Sequence, residues 1–153
     1  MALGIHAYDT HLIHGLLQTP DYARGLLRRA RPELLDHEID QLVEWRMRRQ
    51  DVLTRYDPHP LVLVAIMDEA ALRRAIGGAD VMRAQLEHLL TSASEPNVTL
   101  HVMPDAMGAH AGLTGPLAIL QFDAGCVLSP TSNRRRVTCT WNATTTCAAA
   151  SRS

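Results

Sequence analysis

Leu61-Val-Leu-Val-Ala-Ile-Met67 is a continuous apolar run, followed at once by Asp68-Glu69. It is short, has no helical spacing and is rich in Val, Leu and Ile, which suits a strand covered on both faces. Asp68 is placed to cap a short helix over Glu69 to Ala75, and Gly77-Gly78 breaks that helix. Ala79 to Ala93 then forms a longer helix, with Val81, Met82, Leu86, Leu89, Leu90 and Ala93 facing inward and Gln85 on the flank. Asn97 opens a second strand, Val98 to Met103, with Val98, Leu100 and Val102 on one side and Thr99, His101 and Met103 on the other. Strand, helices and strand within about forty residues make a right-handed crossover between parallel strands.

Downstream, Pro104 ends the strand, and a loop with three glycines and two prolines runs from Pro104 to Pro116. Leu117 to Phe122 reads as a further strand. Upstream, Asp36 caps a helix running to about Arg55, with Pro58 and Pro60 closing its exit. Ile39, Leu42, Val43 and Leu53 make one stripe of that helix at 100° per residue. Arg46 falls in the middle of the stripe, and Gln50 lies about 20° from Val43. Before it, Thr19 is an N-cap with Pro20 at the first helical position and Asp21 in the first turn. Tyr22, Ala23, Leu26, Leu27 and Ala30 follow at helical spacing. Residues 1–20 read as an irregular opening segment. The expected fold is α+β or α/β, with N-terminal helices packed on a small mixed sheet.

The chain has 153 residues, of which 46% are hydrophobic and 20% charged, ordinary values for one globular domain. All 15 basic residues are Arg; the absence of Lys excludes a Walker lysine and a Schiff-base lysine. Residues 1–123 hold 11 Arg and all 16 acids, a net of −5, and carry no broad basic field for nucleic acid. Residues 124–153 hold 4 Arg and no acid, a net of +4. That tail has neither period 2 nor period 3.6 and only four large apolar residues, so an unstructured tail is expected beyond a domain of residues 1–123. Cys126, Cys139 and Cys147 all fall there, at spacings that match no zinc signature. No leader and no apolar run near the ~20 residues of a membrane span is present, so a cytoplasmic protein is expected.

An ordered set of motifs carries a resemblance. It comprises His14-Gly-Leu-Leu-Gln-Thr-Pro-Asp-Tyr-Ala23, Arg46-Met-Arg-Arg-Gln50, Met67-Asp-Glu-Ala-Ala-Leu-Arg73 and Gly77-Gly78. Met82-Arg-Ala-Gln-Leu-Glu-His-Leu-Leu90, Asn97-Val98 and Gly108-Ala-His-Ala-Gly-Leu-Thr-Gly-Pro116 complete it. Over residues 8–123 the chain resembles the C-terminal domain of unknown function of bacterial xenobiotic-response-element-type helix-turn-helix regulators. The resemblance implies a domain that senses a ligand or a partner, ordinarily joined to an N-terminal DNA-binding part, and it implies no catalytic residues. His14 stands where the family usually has Pro. The family's final hairpin and helix have no counterpart in the tail. Codons for Thr138-Cys-Thr-Trp-Asn142, read from the third base of Thr138, can encode the hairpin type Leu-Tyr-Leu-Glu. A frameshift near Gly125 is therefore expected to have replaced the ending.

Arg46 is the sharpest candidate residue, because a guanidinium on an apolar stripe keeps its charge and needs an anion. One reading pairs it internally with Asp68 or Glu69; the other uses Arg46 and Gln50 to hold an anionic ligand. Asp68 and Glu69 lie just past a strand's carboxyl end, where open α/β sheets bind ligands, but helix capping by Asp68 is the simpler role. Gln85 reads as a hydrogen-bonding residue at the core edge. His110 sits in the Gly-rich loop, as an exposed loop histidine or part of a ligand loop. His6, His11 and His14 lack the convergent ligands a metal needs, so neither metal nor cofactor is expected. The expected function is a non-catalytic sensor domain for a small molecule or a small regulatory protein. It has no direct nucleic-acid binding, no membrane contact and a tendency to self-associate. An enzyme acting on a small anionic substrate, or a truncated remnant, are the alternatives.

Overall fold

A computed structural model of the chain describes residues 2–57 and 59–122. Its elements run β1 (Ala2–Asp9), α1 (Pro20–Ala30), α2 (Asp36–Arg48), β2 (Val62–Asp68), α3 (Glu69–Arg73), α4 (Ala79–Ser92), β3 (Val98–Met103) and β4 (Leu117–Phe122). Four strands form one mixed sheet in the order β3-β2-β1-β4, with β1, β2 and β3 parallel and β4 antiparallel to β1. The fold is thus α+β with the expected crossover from β2 to β3. The expected tail, the three cysteines and the frame-shifted ending lie outside the described residues.

The opening segment is irregular only from residue 10 to 19, apart from a 3-10 turn at Gly15–Leu17. Ala2–Asp9 is an inner strand, paired with β2 through Gly4 to Asp9 and with β4 on its other side. Its composition hides this, because Gly4, His6 and Ala7 dilute the β-branched signal and Ile5 alone supplies it. Its neighbours on both sides make it a strand.

Two crossovers, β1 to β2 and β2 to β3, advance the same way across the sheet. Right-handed units of that kind place their helices on one face. Burial along β2 agrees: Leu63, Ala65 and Met67 are buried, while Val62 on the other face is 49% exposed. Among the described residues, helices therefore cover Leu61 to Met67 on one face, not on both as its uniform apolarity suggests. The main core joins Leu63, Ala65, Met67 and Val98 of the sheet to Tyr22 of α1 and Met82 and Leu89 of α4. A smaller cluster, Ala23 with Ile39 and Val43, joins α1 to α2. Ion pairs Arg24–Asp40 at 2.9 Å and Arg28–Asp36 at 2.7 Å rim it.

Local signals set several boundaries. The Thr19 hydroxyl accepts the Tyr22 amide at the start of α1, with Pro20 at its first position. Asp68 Oδ1 accepts the Ala70 amide at the start of α3. Gly77 and Gly78 both take positive φ before α4. Asp36 is not the cap of α2. Leu35 holds that position, its amide donating to Glu38 Oε2 at 2.8 Å, and Asp36 is the first helical residue. Helix α2 gives way to a 3-10 turn at Arg49–Leu53 rather than continuing to Arg55. On α4 the inward face is Met82, Gln85 and Leu89, whereas Leu86 and Leu90 are exposed. Asn97 joins the elements at the other end of the sheet, its amide donating to the Leu53 and Leu61 carbonyls at 2.9 Å each.

Candidate functional site

Strands β1 and β2 end at Asp9 and Asp68, and the segment 10–19 crosses above their carboxyl ends before α1 begins. Three buried donors and acceptors hold that segment. Gln85, fully buried on α4, accepts the Thr19 amide at 2.7 Å and donates to the Leu17 carbonyl at 2.7 Å. Gln18, also buried, donates to the Ile13 carbonyl at 2.7 Å. The Tyr22 hydroxyl accepts the Ile13 amide at 3.2 Å. Burial of Tyr22 raises its pKa, keeping the hydroxyl neutral. Gln50 Nε2 donates to the carbonyls of Gln18 at 2.7 Å and Gly15 at 3.3 Å. Gln50 and Gln85 therefore brace this loop.

Arg46 stands against the same segment. Its Nη1 donates to Gln18 Oε1 at 2.7 Å, and it makes no ion pair with a carboxylate among the described residues. The internal pair with Asp68 or Glu69 is not formed. Asp68 instead accepts the Tyr8 hydroxyl at 3.2 Å and the Ala70 amide, while Glu69 takes Arg73 and the Asp105 amide. The two carboxylates diverge, as neighbours at a strand–helix junction do. Partial burial, and then the charge of Arg49 close by, lower the Arg46 pKa. A guanidinium nevertheless stays charged.

Arg46 and Arg49 line one cavity of about 220 Å³ with Leu12, Ile13, Gln18 and Leu26. Asp9 also reaches this wall, but its carboxylate is held by His14 Nδ1 at 2.8 Å. The result is a concave site with two adjacent guanidinium groups, neither of them in an ion pair among the described residues. Arg49 follows Arg46 by three residues, the spacing that puts two side chains on one helical face. That spacing was the readable sign of a pair; Gln18 carried none.

Asp9 and Asp68 line a neighbouring cavity of about 380 Å³ with His11 and Leu113. His110 packs against Tyr8, ring centroids 5.9 Å apart at 86°, and its Nδ1 accepts the Gly112 amide. His110 is thus half-buried rather than exposed. Of the residues singled out from sequence, Arg46 faces the smaller cavity and Asp68 the larger. Gln50 and Gln85 lie beneath the loop, and Glu69 and His110 fasten the segment after β3. No cluster of metal-ligating side chains occurs among the described residues. None of the described helices is long and apolar enough to cross a membrane.

A protein-family model described as "Domain of unknown function (DUF5753)" matches residues 1–146. The chain belongs to this family. The match begins before the resemblance read from motifs and continues past residue 123, so β1 and all of residues 124–146 fall within it. No curated protein and no solved structure matches the chain.

Proposed function

We propose that this domain is a non-catalytic sensor of a helix-turn-helix regulator, and that it recognises a small anion at Arg46 and Arg49. The resemblance to regulator domains supplies the context. The observation that carries the reading is the pair of guanidinium groups facing one cavity, Arg46 half-buried and in no ion pair among the described residues. Leaving two like charges side by side is unfavourable, and an anion between them relieves the repulsion and satisfies the donors left over. Such an anion would also rest on the segment 10–19, so its arrival would stiffen a loop tied to α1, α2 and α4 at once. A small sensor needs that kind of coupling. The enzyme reading gains nothing from the geometry, because Asp68 caps α3 and Glu69 is turned toward Arg73 and Asp105.

Thermal-shift and calorimetric titration with inorganic phosphate, sulfate and small carboxylates tests this. An anion at a hundred times its Kd should stabilise the chain by about 2.7 kcal/mol. Arg46→Met should remove that response while changing the unliganded stability by only about 1 kcal/mol, since one hydrogen bond to Gln18 is lost and one desolvated charge is relieved. Equal responses from both chains would sink the proposal.

A further inference from the structure

We infer that the anion site continues into a second cationic subsite, and that the ligand is an elongated dianion with an apolar middle. The inference rests on the reading of Arg46 and Arg49 just given. A cavity of about 650 Å³ lies between α1 and the turn joining α3 to α4, and Arg28, Arg29 and Arg74 line it. Leu12 and Leu26 line this cavity and the Arg46–Arg49 cavity alike, so the two share an apolar wall. Arg28 is paired with Asp36, but Arg29 and Arg74 make no ion pair among the described residues. Two guanidinium groups outside any ion pair among the described residues therefore stand at each end of a groove whose middle is leucine.

The two ends belong to one surface. Leu12 and Leu26, lining both cavities, make the wall continuous from Arg46 to Arg74. The floor of the larger cavity is a backbone contact. A Cβ on Gly25 would sit 3.0 Å from Gly77 Cα, so α1 and the turn meet with no side chain between them. Arg28 and Arg29 follow Gly25 by three and four residues, the helical spacing that sets them on its face beside that floor. Arg74 precedes Gly77 by three and closes the opposite side. A carboxylate or phosphonate matches a guanidinium fork in either subsite, and a methylene chain matches Leu12 and Leu26.

Calorimetric titration of the full chain with α,ω-dicarboxylates of increasing length, the matching bisphosphonates and the corresponding monoanions tests this. One chain length should bind at least about tenfold tighter than its monoanion, because the second group binds intramolecularly. The double variant R29Q/R74Q replaces exposed residues, and it should lose that gain while keeping the monoanion affinity; Arg46→Met should lose both. Affinity independent of length, or a length preference that survives R29Q/R74Q, would overturn the inference and leave the Arg46 site standing. Failure of every monoanion and dianion to bind would remove the Arg46 reading and this inference together.

Discussion

Tyr22 is fully buried, and its hydroxyl is the acceptor for the Ile13 amide in the middle of the segment above the sheet. Replacing it by Phe keeps the ring and its packing but strands a buried amide. Tyr22→Phe should therefore cost about 1–3 kcal/mol of unfolding free energy, measured by urea denaturation. A loss confined to a few tenths would mean that the amide finds another acceptor. Gln18 plays a double role, since its carbonyl oxygen faces Arg46 and its amide holds Ile13. Occupancy of the anion site and order in the segment are linked through that one side chain.

Helix α3 and the segment after β3 are joined by Glu69, whose Oε2 accepts the Asp105 amide at 3.0 Å. That amide first, and then Arg73, hold the Glu69 pKa below the ordinary glutamate range. The sign follows from the depression. The contribution is complete above the ordinary glutamate pKa and is lost as pH falls through the lower folded value. Hydrogen exchange at Asp105 should accelerate, beyond its intrinsic pH dependence, as the solution is acidified through that interval. Glu69→Gln should flatten the effect, and an unchanged acid response in that variant would refute the link. Gly112 fixes the next turn in a different way. A Cβ there would collide with the Tyr8 ring, which is itself the partner of His110 and Asp68. Gly112→Ala should displace the 3-10 turn at Ala111–Thr114 and perturb the Tyr8 and His110 ring signals in NMR spectra, while leaving those of Arg46 in place.

At the scale of the molecule, strands β3 and β4 are the outer strands of the described sheet, and its second face carries Val62 at 49% and Leu117 at 43% exposure. Outer strands present unpaired N–H and C=O groups, and exposed apolar residues beside them favour association. Sedimentation of the chain should show mass rising with concentration. Ile119→Lys, on the same face as His6 by strand register, should lower that rise. A single monomeric species across the whole concentration range would contradict it.

How much of this was legible in advance depends on sequence distance. The caps at Thr19 and Asp68, the break at Gly77-Gly78 and the two parallel strands were readable, because each depends on contacts within a few residues or on an unbroken apolar run. Arg46 was recognisable as out of place for the same reason: helical spacing alone sets it on an apolar stripe. Its actual partner, Gln18, lies 28 residues away, and the Gln85–Leu17 bond spans 68. Periodicity carries no record of such pairings. Gln85 appeared as a flank residue because the segment that buries it is supplied by another part of the chain. Strand β1 is not legible in the sequence on similar grounds, since neighbours on both sides, rather than its own composition, hold it extended. The sequence by itself determined the caps, the breaks and the oddity of Arg46. Only the tertiary structure decided that Arg46 would face a cavity beside Arg49, because that depends on which distant backbone groups arrive to be satisfied.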